Sequence, residues 1–383
     1  MVGAVARGTG LWPQPAMLQS ASPRRVHRRW QAGTCRSLDQ NGTKALAGRC
    51  SRAKSLGLAM QVLLTGATGF IGGHLCRQLV AEGHSVVALV RDRKKAAALP
   101  ESGVEQVQGD LSIFERADLA LPRCDLVIHL AGVVSAKTPD QYDRINFQAV
   151  KTLVHCLARQ SWRPRRMVFA SSLAAAGPSV PGVRKTEADA CEPIDDYGRA
   201  KLAAEIFLRE APFPTTSFRP GVVFGPRDAA TLTFFRMASR GFGFRVGGPP
   251  QPFSFIDVSD LVAAVIKMTE DVTGDHRTYF VSASEDTDSE RLWDVLSTVI
   301  ERKVRVVAVP RSLLYGASRV GAALSKLFGF SNQLDKKQYD QLTAPAFICS
   351  SDALSRAHGW TPRWTLQQSL RKAWEGYRAD GWL

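Results

Sequence analysis

The sequence predicts an α/β protein: a doubly wound parallel sheet with a smaller, mixed α/β part toward the C-terminus. Two observations carry this. From Met60 onward, short apolar runs alternate with longer amphipathic stretches. Strands separated by helices form βαβ units, whose parallel sheet carries helices on both faces. The first apolar run also ends in a glycine-rich turn that opens straight into a helical pattern, an arrangement that suits a phosphate group. Right-handed crossovers would wind such units into a Rossmann-like fold.

The elements follow in order. Gln61–Leu64 reads as the first strand, and Phe70–Ala81 has helical spacing. Ser85–Val90 is a second strand, ending in Arg91-Asp92. Val104–Val107 and Leu126–Leu130 are further strands, and Tyr142–Gln160 reads as one long helix. Met167–Ala170 is a strand, Tyr197–Glu210 a helix and Thr215–Arg219 a strand. No repeat of 20–50 residues interrupts this series.

Beyond about residue 230 the texture changes. Gly241, Gly243, Gly247, Gly248, Pro249, Pro250 and Pro252 form a stretch expected to be loop-rich, followed by strand-like and helical pieces. Three parts are expected: a basic leader or extension at 1–59, a nucleotide-binding part at 60–240, and a substrate part at 241–383. The last is expected to interleave with the core and close over the sheet's carboxyl edge. Ser312–Phe330 is apolar but carries Arg319 and Lys326. A packed or pocket-lining amphipathic helix is expected there, with a membrane-surface helix as the alternative.

Composition narrows the function classes. Hydrophobic residues make up 45% and charged residues 22% of 383, which excludes disordered and fibrous classes for most of the chain. No window approaches 18 uncharged apolar residues, so no spanning helix is expected. The seven cysteines at 35, 50, 76, 124, 156, 191 and 349 contain no CxxC pair and no metal-ligand spacing. They read as reduced thiols, with no metal site expected.

The formal net charge of +15 sits mostly in the leader. Residues 1–59 hold eight Arg and two Lys against Asp39, which is +9 and leaves +6 for the remainder. Most of the basicity is therefore a property of the leader, and no nucleic acid is expected as a partner. The leader has no apolar stretch of the kind a secretory signal needs. It reads either as an organelle transit peptide, plastid or mitochondrial, or as an extension upstream of Met60, in which case the protein is expected in the cytoplasm.

The turn Thr65-Gly66-Ala67-Thr68-Gly69-Phe70-Ile71-Gly72 joins a strand to a helix, the context a dinucleotide fingerprint requires. Gly66 permits the tight turn, Gly69 lets backbone N–H groups approach a pyrophosphate, and Gly72 lets the helix pack close to the strand. The end of the second strand selects the cofactor. An acidic residue there would bind an adenosine ribose, whereas Arg suits a 2′-phosphate. This chain has Arg91 at that place, with Arg93, Lys94 and Lys95 behind it. NADP is expected in preference to NAD, the alternative being a solvated basic turn.

Tyr197-Gly-Arg-Ala-Lys201 places a phenol and an ammonium one helical turn apart. The ammonium is expected to pull the phenol down from its ordinary pKa near 10. A proton could then pass between Tyr197 and a substrate oxygen while a nicotinamide handles hydride. Upstream, a strand ends in Ala170-Ser171-Ser172, whose hydroxyl could hold the same oxygen.

Taken together, these residues resemble the extended short-chain dehydrogenase/reductases, the NAD-dependent epimerase/dehydratase group. The resemblance runs from Met60 to Leu383. It rests on TGATGFIG (65–72), GDL (109–111), HLAG (129–132), the Asn146 helix, FASS (169–172), YGRAK (197–201), RPGVVFGP (219–226), FIDVSDLV (255–262) and the late HGWTP (358–362). The resemblance implies that Gly66, Thr68, Gly69, Phe70, Ile71 and Gly72 cradle the cofactor. It also implies that Asp110 and Leu111 flank the adenine, Ala131 and Gly132 line the pyrophosphate and ribose, and Pro220 to Val222 sit by the carboxamide. Ser172 would hold the substrate oxygen and Tyr197 would be the acid/base. Lys201 would tune it and bind the nicotinamide ribose. A monomer, or a homodimer through helices near 142–160 and 197–210, is what the family suggests.

Three departures narrow the substrate. Leu173-Ala174 stands where sugar 4,6-dehydratases of this kind carry Asp-Glu, and Phe253 stands where nucleotide-sugar epimerases carry a phosphate-binding Arg. Ala174-Ala175-Ala176 replaces bulkier residues and suggests a wider, apolar pocket. The chain thus looks nearest the dihydroflavonol reductase and 3β-hydroxysteroid dehydrogenase branch. The expected activity is an NAD(P)-dependent oxidoreductase that interconverts a carbonyl and a secondary alcohol on a lipophilic small molecule. The alternatives are a nucleotide-sugar epimerase using bound NAD and a non-catalytic NAD(P)-binding scaffold.

Overall fold

The computed structural model describes residues 59–383 apart from 137, 272 and 329–335; the expectations for the basic leader lie outside the described residues. The first half runs β1 Gln61–Thr65, α1 Phe70–Ala81, β2 Ser85–Val90, α2 Arg93–Ala96, β3 Val104–Gln108, β4 Leu126–His129, α3 Pro139–Asp143, α4 Ala149–Arg159, β5 Arg166–Ala170, α5 Leu173–Ala176, α6 Asp196–Leu208 and β6 Thr215–Pro220. The second half runs β7 Val222–Phe224, α7 Leu232–Ser239, β8 Phe242–Val246, β9 Phe253–Asp257, α8 Val258–Thr269, β10 Arg277–Val281, β11 Asp286–Thr287, α9 Ser289–Ile300, β12 Arg305–Val309, α10 Arg311–Phe328, α11 Lys336–Thr343, α12 Asp352–His358 and α13 Leu366–Ala379.

Seven strands form the main sheet in the order β10-β6-β5-β4-β1-β2-β3. Every neighbouring pair is parallel. A strand covered on both faces must be apolar on both, which is why β1 and β2 read as continuous hydrophobic runs. Val62 and Leu64 belong to the core on one face, with Leu75, Leu79, Ile128 and Val265. Leu63 points into the other, with Val127, Leu153, Leu157 and Phe169. Each such side chain contributes about 1.5–3 kcal/mol by burial, so the two apolar layers hold the sheet in register. The chain reverses direction of winding between β1 and β4, leaving a crevice at their carboxyl ends.

Two elements differ from the sequence-based expectation. The helix expected over 142–160 begins earlier, because Thr138 caps Gln141 and Pro139 occupies the first turn. It also contains a π-helical turn over 144–148 that turns the buried Asn146 inward, and such single-turn widenings recur at functional sites. The glycine-rich stretch expected as loop contains the strand β8. Gly243 belongs there because the Trp293 indole lies against it; an added Cβ would stand 2.7 Å from the ring. β8 pairs in parallel with β12, a contact between residues 63 positions apart that no local pattern reports.

The second half is tied to the main sheet at several points. β10 is the sheet's edge strand beside β6. The buried Asp257 carboxylate caps α8 through Ser259 N (2.7 Å) and takes the Lys372 ammonium of α13 (2.8 Å). Asp260 accepts the backbone N–H groups of Arg363 and Trp364 at 2.8 and 3.0 Å. The 255–262 segment therefore bolts the C-terminal helix to the core. Among the described residues no helix is long and apolar enough to cross a membrane, and the five described cysteines are unpaired.

Arg166 on β5 is fully buried and holds the loop that leads into β10. Its guanidinium donates to the carbonyls of Asp271 and Asp275 (both 3.1 Å), to that of Thr273, and to the Thr216 hydroxyl at 2.8 Å. It also pairs with the Asp271 carboxylate at 3.3 Å. Arg166→Leu would strand the buried Thr216 hydroxyl and the nearly buried Asp271 carboxylate, whereas the exposed Thr273 and Asp275 carbonyls could turn to water. We expect it to lower unfolding free energy by about 3 kcal/mol or more in urea titrations, since unmet buried acceptors cost about 1–3 kcal/mol each; a loss under about 1 kcal/mol would refute this role.

Candidate active site

Two loops meet at the crevice. Gly66 adopts φ +77, a conformation that favours glycine, and a Cβ there would lie 2.7 Å from the Ala131 amide nitrogen. Gly72, one turn into α1, packs onto the same loop, since its Cβ would overlap the Gly66 carbonyl. These approaches bring the β1–α1 turn and the Ala131-Gly132 loop into contact. Gly69 caps α1 without a side-chain bond, no acid occupies the first turn, and both Gly69 and Gly132 are exposed. Thr68 and Phe70 are half-buried beside them, and Ile71 packs onto the core. Unsatisfied N–H groups at a helix start favour an anion, so the cradle fits a dinucleotide pyrophosphate.

Arg91 is exposed directly beyond β2. Its carbonyl accepts from the Gln108 amide (3.0 Å). The adjacent acid, Asp92, caps α2 by accepting from Lys94 N at 2.9 Å and Lys95 N at 3.4 Å. Asp110 is exposed and accepts from the Ser112 backbone and hydroxyl, which holds its carboxyl below the ordinary range. Leu111 opens a short 3-10 turn beside it. Pro220 and Val222 lie at the end of β6 and the start of β7, with Val222 exposed.

Ser172, Tyr197 and Lys201 come together. The strand β5 ends at Ala170, and Ser172 caps the short helix α5 by accepting from Ala174 N at 3.2 Å. Asp195 caps α6 through Gly198 N at 2.6 Å, which sets Tyr197 in the first turn with its phenol hydrogen-bonded to the Ser172 hydroxyl. Tyr142 from α3 stacks edge-on against Tyr197, ring centroids 6.2 Å apart. Lys201, one turn further, is 4% exposed. Its ammonium donates to the Ala170 carbonyl at 2.7 Å, lies 4.8 Å from the Phe169 ring centroid and 6.0 Å from that of Tyr197. A Cβ on Gly132 would fall 2.7 Å from Asn146 Oδ1 and 3.2 Å from Lys201 Nζ, so the crevice floor, Asn146 and Lys201 are neighbours.

The electrostatics correct one expectation. Burial pushes the Tyr197 phenol up to about 12, with the Ser172 hydrogen bond pulling the other way. The expected fall below 10 does not occur because desolvation of the phenolate outweighs a lysine whose ammonium is turned to the Ala170 carbonyl. Lys201 is itself lowered to about 8 by burial, with Glu205 opposing the fall. His129, stacked on Phe169 and bonded through Nδ1 to Thr65 Oγ1 at 2.7 Å, is brought to about 3 by burial and by the Lys201 charge.

The sequence reading missed the anchor beneath this set. Glu205, one turn beyond Lys201, is fully buried and takes Arg219 through Nε (2.9 Å) and Nη2 (2.5 Å). It also accepts from the Ser171 hydroxyl. The Tyr197, Lys201, Glu205 spacing of four and four was visible as one helix face, but its partner Arg219 lies on another strand. The three alanines also differ from expectation. Ala175 and Ala176 are buried and α5 packs tightly on α6, the Cβ of any residue at Gly198 meeting the Ala174 carbonyl. Ala175 and Ala176 thus close the helix pair together, while Ala174 is half-buried against Tyr142 and Tyr197. Phe253 is half-buried against the core of Phe224, Phe235 and Trp293.

Several known proteins are similar to this chain over most of its length. The ceramide reductase of Caulobacter vibrioides is 27% identical over 329 residues, covering 84% of this chain and 96% of that protein. A 4-hydroxy-2-methyl-3-oxo-4-farnesyl-3,4-dihydroquinoline-1-oxide ketoreductase of Stigmatella aurantiaca is 27% identical over 272 residues, or 69% and 80% of the two chains. A UDP-glucose 4-epimerase of Thermotoga maritima, solved with UDP-glucose, superposes with a TM-score of 0.68 at 22% identity. It covers 84% of this chain and 99% of its own, a likeness of fold. The model of the NAD dependent epimerase/dehydratase family matches residues 62–281, and the chain belongs to that family.

Proposed function

We propose that the protein is an NADP-preferring oxidoreductase that interconverts a carbonyl and a secondary alcohol on a lipophilic small molecule. The observation that carries the reading is the meeting of the half-buried Ser172 with the buried Tyr197 and Lys201 beside the glycine cradle. A nicotinamide cofactor, when bound, exchanges hydride with the substrate carbon. The chain's own residues handle the oxygen. The Ser172 hydroxyl orients it, and the Tyr197 phenol, kept protonated by burial, donates a proton to it in the reductive direction. The Lys201 ammonium stabilises the tyrosinate that remains. Gly66, Thr68, Gly69, Phe70, Ile71 and Gly72 would hold the pyrophosphate, and Ala131, Gly132, Lys201 and Asn146 the nicotinamide ribose. Asp110 and Leu111 would flank the adenine, with Pro220 and Val222 near the carboxamide.

NADP preference rests on Arg91, because the adjacent acid, Asp92, is engaged in capping its own helix. The lipophilic substrate is supported by Leu173-Ala174 and Phe253 in places where sugar enzymes of this family carry charge. The names of the two relatives, a ceramide reductase and a farnesyl-dihydroquinoline ketoreductase, point the same way.

Three outcomes are expected. Tyr197→Phe lowers ketone reduction by about 10²–10⁴-fold, the usual worth of a positioned acid, while NADPH binding followed by nicotinamide fluorescence stays unchanged; undiminished turnover refutes the mechanism. Arg91→Ala weakens NADPH about ten- to a hundredfold, as a lost charge-assisted bond should, and leaves NADH alone. Wild-type preference for NADH with UDP-sugar binding would favour an epimerase instead. Reduction is steady from neutral pH and falls as pH rises through about 8, where Lys201 loses its charge. Tyr197, near 12, stays protonated across that window. A profile without a limb near 8 contradicts the Lys201 role.

A further inference from the structure

Outside the crevice, one exposed surface combines bare apolar side chains with basic ones. β8 and β12 form a two-stranded parallel sheet, and aligned residues of a parallel pair project to the same side. Gly243 faces Trp293 of α9, so Phe242 and Phe244, with Arg305 and Val307 beside them, project from the opposite side. Phe242 is 45% and Val307 61% exposed. The first turn of α10 continues the patch with Leu313, 65% exposed, while Leu314 turns inward and is buried. The sequence around it is mostly basic. Between Arg302 and Phe328 there is no acid, but there are Arg302, Lys303, Arg305, Arg311, Arg319 and Lys326. Residues 229–256 also contain no acid and contribute Arg240 and Arg245; Arg245 is paired with Glu290, and Glu301 lies exposed at the end of α9.

We infer that this face docks on an anionic phospholipid surface. Apolar side chains ringed by arginine and lysine, on an amphipathic helix without acids, suit the headgroup boundary: the carbon inserts shallowly and the charges meet phosphate. Among the described residues no helix can span the bilayer, so the association lies on the surface. The patch also adjoins the candidate site. Tyr315 of α10 packs edge-on against Tyr339 of α11, 5.3 Å between centroids. Gln341 of α11 hydrogen-bonds Asp195, the residue that caps the helix bearing Tyr197. A membrane-dissolved substrate would thus be delivered next to the site. The docking claim itself does not require the catalytic reading.

The test is co-sedimentation of the full chain with phosphatidylcholine vesicles, with and without phosphatidylglycerol. Binding is expected on the anionic vesicles and weakens with salt. Phe244→Glu, Val307→Glu and Leu313→Glu together lower affinity at least about tenfold; Leu313→Glu alone lowers it measurably, and Ile206→Glu on α6 does not. Failure to bind either vesicle overturns the inference. So does undiminished binding of the triple variant, which would assign the membrane contact to the basic residues 1–59. A concentration-dependent dimer without vesicles that the same variant abolishes also overturns it, in favour of a second copy of the chain seated on β12. None of these readouts involves turnover.

Discussion

The buried Glu205 carboxylate is the constraint on which the candidate site depends. It receives the Arg219 guanidinium from the end of β6 and the Ser171 hydroxyl from the end of β5, and it sits one turn from Lys201 on α6. Three separate segments, each carrying a site residue next in sequence or one turn away, are thereby referred to one point. An ion pair this deeply buried pays a large desolvation cost, which well-formed geometry and extra hydrogen bonds offset. The two-point Arg219 contact and the Ser171 bond meet that requirement. The pair is thus better understood as a positioning device than as a source of stability.

The same dryness sets the protonation states. A phenolate, an imidazolium and an ammonium are all disfavoured away from water, and Tyr197, His129 and Lys201 shift accordingly, up, down and down. The result is a neutral phenol beside an ammonium held by the Ala170 carbonyl. Under the proposed function, such an arrangement would give a proton to an oxygen arriving at Ser172 and Tyr197.

The C-terminal part is fastened to the main sheet at several points. β10 seals the edge of the main sheet, with Arg166 holding the approach to it. Asp257 and Asp260 fasten α13 and the turn before it to α8. Lys372, 3.8 Å from the Trp364 ring centroid, adds a cation–π contact to that joint. The elements around β8, β12 and α10 stand outside this frame, leaving Phe242, Val307 and Leu313 to solvent.

The strands from Gln61 to Pro220, the glycine turn and the Tyr197–Lys201 spacing were legible in the sequence because each is a local pattern. A strand buried on both faces must be apolar throughout, and a helix face repeats every third or fourth residue. Tertiary structure alone decided the rest. Gly243 belongs to a strand because Trp293, fifty residues later, needs the space. Asn146 turns inward through a π-helical turn that its sequence does not announce. Burial reverses the direction in which a neighbouring lysine would move Tyr197. Desolvation, close approach and long-range ion pairing depend on which surfaces meet, and one residue's neighbours in the chain do not report its neighbours in space.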